Sequence, residues 1–289
     1  MAPPPSPELP LRERVLKLAQ TLQFAWFVGH LTLILSVFRY FLSWIRFNYY
    51  SFWAQFAYRL TFASAAVTYG IVVYKTWRAS RKPTAKPSTL PAPLAVLSDE
   101  NIQYLMMAVI WFFMPQYSLA MLPYGIYSVF HVATYTRANL IPTLAPQKKL
   151  APPAGASPSA KPQYAQHPIS ESIGVFVKQY YDVSMSMVSG LEILLWIRLL
   201  FAAILFQRRS WILLGVYTVF LRARFSNSTH VQNSFAQLET RVDDLVGAQG
   251  TPPVARQAWD GVKGGVRQFH TATDPTRYIG GAAAPKKTS

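Results

Sequence analysis

The chain has 289 residues, 51% of them apolar and 15% aromatic, but only 14% charged, where a soluble domain carries about a quarter. Its 28 Lys and Arg against 12 Asp and Glu give a formal charge of +16, and it has no cysteine. Disulfides, thiol catalysis, cysteine-ligated clusters and palmitoylation are therefore excluded, and the basic charge leaves nucleic acid or anionic lipid as its counterpart.

The distribution of charge decides between those two. Long windows such as Phe24 to Phe38 and Leu191 to Phe206 are almost free of charge, and the basic residues gather between them. A bilayer demands this pattern, since an ionised side chain in hydrocarbon costs roughly 2.5–3.5 kcal/mol even on a mild scale. The expected class is an all-α, polytopic membrane protein with short helical hairpins and cytosolic amphipathic helices. Its basic segments face lipid and cytosol, with no direct nucleic-acid partner.

Residues 1–20 read as a cytosolic segment, with Leu11, Val15, Leu18 and Leu22 on one helical face and Arg12, Arg14 and Lys17 nearby. The proline-rich start is unlike a cleavable signal, so the first apolar run reads as a retained helix. Residues 21–74 form a first transmembrane hairpin. Thr21 to Leu42 would be about 33 Å long as a helix, close to a hydrocarbon core of about 30 Å. Trp44, Tyr49, Tyr50 and Trp53 between its arms suit the headgroup level. Residues 75–97, with Lys75, Arg78, Arg81, Lys82 and Lys86 among prolines, read as a basic cytosolic loop unable to hold a helix.

Ser98 is the expected N-cap of the next helix, with Asp99 and Glu100 in its first turn. The apolar region 98–136 is too long for one straight span and is broken by Pro115, Gln116 and Pro123, so a shallow hairpin or kinked re-entrant pair is expected. Residues 137–168 read as a disordered Pro/Ala-rich linker. Residues 169–222 combine an amphipathic helix bearing Ile173, Val177 and Tyr180 with a third apolar pair split at Gln207-Arg208-Arg209-Ser210, whose arginines suit the lumen poorly, so a hairpin entering only part of the bilayer is expected. Residues 223–250 hold a cytosolic helix with Val231, Phe235, Leu238, Val242 and Leu245 at three- and four-residue spacing. Residues 251–289 hold a last amphipathic helix and a basic tail.

Nothing in the sequence outlines catalysis or a cofactor. The histidines His30, His131, His167, His230 and His270 are scattered, and no phosphate loop or nucleophile elbow occurs. His30 and His131 suit packing or an interhelical hydrogen bond better than a proton relay. Arg59, Glu192 and Arg198 are the other in-membrane charges. Glu192 and Arg198, six residues apart, do not share a helix face.

The last helix, 254 to 269, carries the candidate site. Val254, Ala258, Trp259, Val262, Val266 and Phe269 fall in one arc, with Arg256, Asp260, Lys263 and Arg267 opposite. Gly261, Gly264 and Gly265 weaken it in water, each by about 1 kcal/mol relative to alanine. The expected behaviour is folding on a lipid surface, Trp259 and Phe269 inserted and the basic face toward phosphates. A helix docked on the protein is the alternative. The terminal Lys286 and Lys287 resemble a dilysine retrieval signal of endoplasmic reticulum membrane proteins, and Asn227-Ser228-Thr229 matches a glycosylation sequon that a cytosolic tail would leave unused.

Several spaced runs carry a family resemblance. Leu97-Ser98-Asp99-Glu100 with Tyr104-Leu105, Pro123 to Thr136 ending His131-Val132-Ala133-Thr134-Tyr135-Thr136, and Tyr217, Phe220-Leu221-Arg222, Arg224-Phe225-Ser226, Phe235 and Leu238 follow one another in order. Over roughly residues 20 to 245 they resemble the transmembrane protein 33 family, which includes fungal 33-kDa pore membrane proteins. The resemblance implies residence in the endoplasmic reticulum and nuclear envelope, and association with reticulon-type proteins and nucleoporins. It further implies roles in tubule shape and nuclear pore distribution or assembly, and a C-terminal amphipathic helix that binds membrane and a karyopherin. The resulting expectation is a non-enzymatic, oligomeric or hetero-assembled protein that shapes or senses curved or anionic membrane, both termini cytosolic. An ion channel or transporter subunit is the alternative.

Overall fold

A computed structural model of the chain describes residues 5–81, 98–146 and 167–273. It divides into two units, Met1–His230 and Val231–Ser289. All regular elements among the described residues are helical.

The first unit begins with α1 (Leu11–Ala19), α2 (Leu22–Ile45) and α3 (Phe52–Ser80). It continues with α4 (Glu100–Phe113), a short 3₁₀ turn, α5 (Met121–Tyr135), a π turn over Thr136–Leu140 and α6 (Ile141–Leu144). The hairpin α7 (Pro168–Ile204) and α8 (Ser210–Asn227) closes it. Three helices, α2, α3 and α7, are long and apolar enough to cross a bilayer. At about 1.5 Å per residue, the 24 residues of α2 measure about 36 Å.

Local chemistry sets the helix ends. Thr21 Oγ1 accepts from the Phe24 N–H at 3.1 Å and Ser51 Oγ from the Ala54 N–H at 3.3 Å, starting α2 and α3. At α4 the cap is Asp99 rather than the expected Ser98, its carboxylate accepting from the Asn101 N–H at 2.8 Å. A carboxylate satisfies an orphan N–H and also meets the positive end of the helix dipole.

Two boundaries differ from the sequence reading. The basic loop expected from residue 75 begins later, because α3 runs through Lys75 and Arg78 to Ser80. No proline lies between Phe52 and Pro83, and the Arg81 guanidinium lies 3.8 Å over the Trp77 ring. The linker expected from residue 137 also begins later. The π turn carries the helix past Arg137, and Pro142 then sits in the first turn of α6, where its missing N–H leaves nothing unpaired.

The second apolar region is a hairpin with unequal arms. Its descending arm α4 is about 21 Å long for 14 residues, and its ascending arm runs through α5 to Leu144. Despite the short arm, its turn reaches the level of the first hairpin's turn. Gln116 Nε2 donates to the Tyr49 carbonyl at 3.5 Å, Tyr40 OH meets Ser118 Oγ at 2.8 Å, and the Tyr117 N–H donates to Tyr58 OH at 3.2 Å. The Arg198 guanidinium lies 5.7 Å over the Tyr117 ring, so the α7–α8 turn gathers at the same end.

The bundle buries polar groups within an apolar core and leaves much apolar surface open. Buried side chains include His30, Ser36, Thr61, Thr68, Ser128, Ser189, Glu192 and Arg224, while Leu35, Phe38, Val67, Met187, Phe201 and Val219 are open. Large contiguous apolar surface of this kind needs a non-aqueous surround. Inside, hydroxyls bond to their own helices: Thr61 Oγ1 donates to the Ala57 carbonyl at 2.9 Å and Ser128 Oγ to that of Tyr124 at 2.7 Å. Helices approach closely where a residue is small. A β-carbon on Gly29 would meet Thr68 Cγ2 at 2.5 Å, where α2 and α3 pack.

Intramembrane charges and histidines have identifiable partners. Arg59 Nη1 sits among the carbonyls of Trp111, Phe112 and Met114 and so caps the C-terminal end of α4. His30 Nδ1 lies 2.9 Å from Ser128 Oγ, joining α2 to α5, and the His131 ring packs 4.6 Å from His30. Glu192 does not pair with Arg198. Its partners are Tyr104, whose hydroxyl donates to Oε1, and Arg224, whose Nε lies 3.4 Å from Oε2. Arg224 Nη1 also lies 2.8 Å from Glu100 Oε1, in an ion pair too bent to count as a hydrogen bond, and Nη2 donates to Tyr127 OH at 3.2 Å. This network ties α4, α5, α7 and α8 together.

Removing one partner of that network strands a buried charge. Arg224→Leu is expected to lower stability by about 3–5 kcal/mol, and the double change Glu192→Met, Arg224→Met to lose less than either single change. Thermal unfolding of the purified chain in mild detergent measures both.

Candidate functional site

The second unit holds α9 (Thr229–Gly247, beginning at the boundary) and α10 (Pro253–Ala272). Gly250, at φ 95°, turns the chain between them, and its missing β-carbon makes that left-handed conformation accessible. Pro253 opens α10, where a missing N–H costs nothing.

The apolar arc of α10 is uncovered. Val254 is 74% exposed, Val262 53%, Val266 59% and Phe269 45%, with Ala258 open between them. No residue of α10 is buried.

The other edge of α10 faces α9. Trp259, expected beside Phe269 in the inserting face, instead turns to the edge of the arc and donates from Nε1 to Asp243 Oδ1 at 2.6 Å. Lys263 Nζ donates to the same oxygen at 2.7 Å and lies 3.5 Å from Asp260. Arg267 pairs with Glu239 at 3.6 Å, and Arg256 Nη2 donates to the Ala248 carbonyl at 3.3 Å. The three basic residues expected to face phosphates thus line the α9 side. The reason is the α9 sequence, which sets Glu239 and Asp243 four residues apart on one face. On α9, Leu245, assigned to the apolar face by spacing, is 72% exposed.

The contacts fix the electrostatics of the hairpin. Hydrogen bonds from Lys263, then Trp259, hold the Asp243 carboxyl below its ordinary range, and the bond to Asp243 raises the Lys263 ammonium. A lowered acid and a raised base both stabilise the folded form across neutral pH. The Asp243 contribution is lost as pH falls through its folded value, and that of Lys263 as pH rises through its own.

Other sequence-level expectations fall as follows. Lys286 and Lys287 lie outside the described residues. Asn227 Nδ2, the nitrogen a sequon would offer, donates to the Ser98 carbonyl at 3.0 Å. Among the described residues, no group of three or more His, Asp or Glu could hold a metal. The gap beside Glu192, walled by Tyr104, Trp111, Tyr124 and Tyr217, has about 10 Å³ of room, enough for about one water. On α1, Arg14 and Leu18 are buried while Leu11 and Val15 are open, so the expected face is rotated. Arg224 was missed as the partner of Glu192. Its only sequence signal is an arginine at the polar end of an apolar helix.

A polytopic α-helical membrane protein with a separate amphipathic hairpin is the class these features define. The chain belongs to the family described as Transmembrane protein 33/Nucleoporin POM33, which matches residues 12–272. It is 66% identical over 287 residues to Nucleoporin POM33 of Chaetomium thermophilum, covering 99% of each chain. It is 30% identical to the Pore membrane protein of 33 kDa of Saccharomyces cerevisiae, over 89% of this chain and 88% of that one. Identity to Tetra-spanning protein 1 of Schizosaccharomyces pombe is 31%, over 90% of this chain and 88% of that one. No solved structure matches.

Asp243→Asn is expected to loosen α10 from α9, as is acidification below the usual carboxylate range. Hydrogen exchange of residues 253–272 in the full chain should accelerate in both cases, with little change in α2 and α3.

Proposed function

We propose that the protein is a non-enzymatic shaper or sensor of curved membrane in the endoplasmic reticulum and nuclear envelope, acting in tubule organisation and in nuclear pore distribution or assembly. The observation that carries this is the uncovered apolar arc of α10, formed by Val254, Ala258, Val262, Val266 and Phe269 in a compact unit of its own. An amphipathic helix with such an arc lies in the headgroup region and adds area to one leaflet. Curved membrane has more gaps between headgroups, so the same arc binds it more tightly. The names of the relatives support the nuclear pore setting, and the resemblance supports reticulon-type proteins, nucleoporins and a karyopherin as partners in an oligomer or hetero-assembly.

Orientation follows from charge. Residues 75–97 and 137–168, the N-terminal segment and the tail are basic. The positive-inside rule places all of them, and both termini, in the cytosol. The α9–α10 hairpin then meets the cytosolic leaflet. Its Lys263, Arg267 and Arg256 flank the arc and hold it beside α9 while the apolar side enters lipid.

A peptide covering residues 229–273 tests the reading by co-sedimentation with small and large liposomes. Each of Val262 and Phe269 is worth about 1.5–3 kcal/mol when fully buried, so Val262→Asp with Phe269→Asp is expected to weaken binding by more than about tenfold. Binding should also favour the smaller vesicles. Equal binding of the two peptides, or no binding at either size, would remove α10 from the mechanism.

A further inference from the structure

The tips of the first and last hairpins share a short sequence pattern. Ile45-Arg46-Phe47-Asn48-Tyr49-Tyr50-Ser51-Phe52 and Ile204-Leu205-Phe206-Gln207-Arg208-Arg209-Ser210-Trp211 align residue for residue. Ile, Phe and Ser are identical, an amide follows the Phe, and an aromatic follows the Ser.

The two tips also share the backbone geometry of the helix-ending turn, and differ after it, where Arg209 is left-handed at φ 62° and Tyr50 is not. The N–H of Phe47 donates to the Trp44 carbonyl and that of Phe206 to the Ala203 carbonyl, both at 2.9 Å. Asn48 N–H donates to Ser43 and Gln207 N–H to Ala202, again both at 2.9 Å. Ser51 N–H bonds Asn48 at 3.3 Å, and Ser210 N–H bonds Gln207 at 3.1 Å. The nested first two bonds form a helix-ending motif whose left-handed position usually holds glycine, because a β-carbon is disfavoured there. Here that position is Phe47 at φ 52° and Phe206 at φ 51°.

Little among the described residues offsets this: the Phe206 ring meets Trp211 at 6.4 Å between centroids, at the rim of the tip. Phe47 is 89% exposed and Phe206 81%, among the most open large side chains of the bundle. A bulky aromatic residue has been placed twice where the backbone favours glycine, and both times its ring points away from the protein. The favourable contact must therefore lie outside it. The surroundings say what it is. Trp44, Trp53 and Trp211 are exposed at the tips, and the exposed Arg46 and Arg208 lie within two residues of the phenylalanines in the chain. Aromatic rings with arginines at the end of apolar helices are the composition of a membrane–water interface. Both tips sit at the end of the bundle where the α4–α5 turn also lies, through Gln116 to Tyr49 and Arg198 to Tyr117.

We propose that Phe47 and Phe206 are paired interfacial anchors, their rings seated at the acyl–headgroup boundary of the leaflet opposite the basic connections. They hold the first and last hairpins at one depth. This rests on the transmembrane orientation given above, and its occupant is lipid rather than a protein. The left-handed conformation serves to aim the ring outward along the hairpin axis. A right-handed residue at that position would continue the helix and turn its side chain back along the bundle.

The chain has no cysteine, so Asn48→Cys and Gln207→Cys report on the tips singly, in the full chain reconstituted in phosphatidylcholine liposomes. An impermeant maleimide, supplied to each side in turn, reads their exposure. Slow labelling is expected with both phenylalanines present. In a Phe47→Gly, Phe206→Gly background it should become several-fold faster, and Phe47→Trp with Phe206→Trp should restore the slow rate. Glycine suits the left-handed position better, so a melting temperature in detergent that does not fall confirms that the faster rate comes from losing the ring, not from unfolding. Equal rates in the Phe and Gly backgrounds would overturn the anchors alone. Labelling of both tips from the side that labels Ser6→Cys would overturn the orientation, and the anchors with it.

Discussion

Burying Glu192 against Arg224 is the constraint around which the bundle is arranged. Both side chains are almost fully enclosed, in a helical bundle whose outer surface is hydrocarbon-like. A lone charge there has no water to turn to, so each is tolerable only with the other in place and the remaining hydrogen-bonding positions filled. Tyr104 and Tyr127 fill two of them, and Glu100 adds a second carboxylate that pairs with Arg224 Nη1 at the outer end. Four helices must hold their registers for these atoms to meet. The network thus acts less as a source of stability than as a specification of which helices are neighbours.

Elsewhere the same logic runs at lower charge. His30 meets Ser128, Tyr40 meets Ser118, Trp196 Nε1 donates to Thr218 Oγ1 at 2.8 Å, and Arg59 ends α4. Each contact joins two helices through polar atoms with no other outlet in an apolar surround. Because these partners sit inside, the outward surface is left to leucine, valine and phenylalanine. The short arm of the second hairpin is workable for the same reason. In its non-helical backbone at 114–117, Arg59 meets the Met114 carbonyl and Tyr58 accepts from the Tyr117 N–H.

The second unit solves a different problem. Its amphipathic helix has to keep an apolar arc open without collapsing on itself. In α10 the basic edge is held by Asp243 and Glu239 of α9, and this orients the helix with Val254, Val262, Val266 and Phe269 facing away. Trp259 sits on the line between the two faces, its ring beside the arc and its Nε1–H satisfied by a carboxylate. An indole suits such a border, being apolar across its rings and polar at one edge.

Much of this was legible in the chain. Apolar windows, clustered arginines and lysines, and three- and four-residue spacing determined the class, the hairpins and the arc of α10, because hydrophobic burial depends on composition and period alone. Three things were decided only by tertiary structure. The partner of Glu192 is Arg224, 32 residues on, and pairing at that separation depends on how α7 and α8 cross. α3 and the helical run from α5 through the π turn to α6 end beyond their first basic residues, because a solvated arginine does not by itself end a helix. The side of α10 that Trp259 takes depends on carboxylates of another helix. Periodicity places a residue on an arc, but a border residue is claimed by whichever neighbour the fold brings within reach.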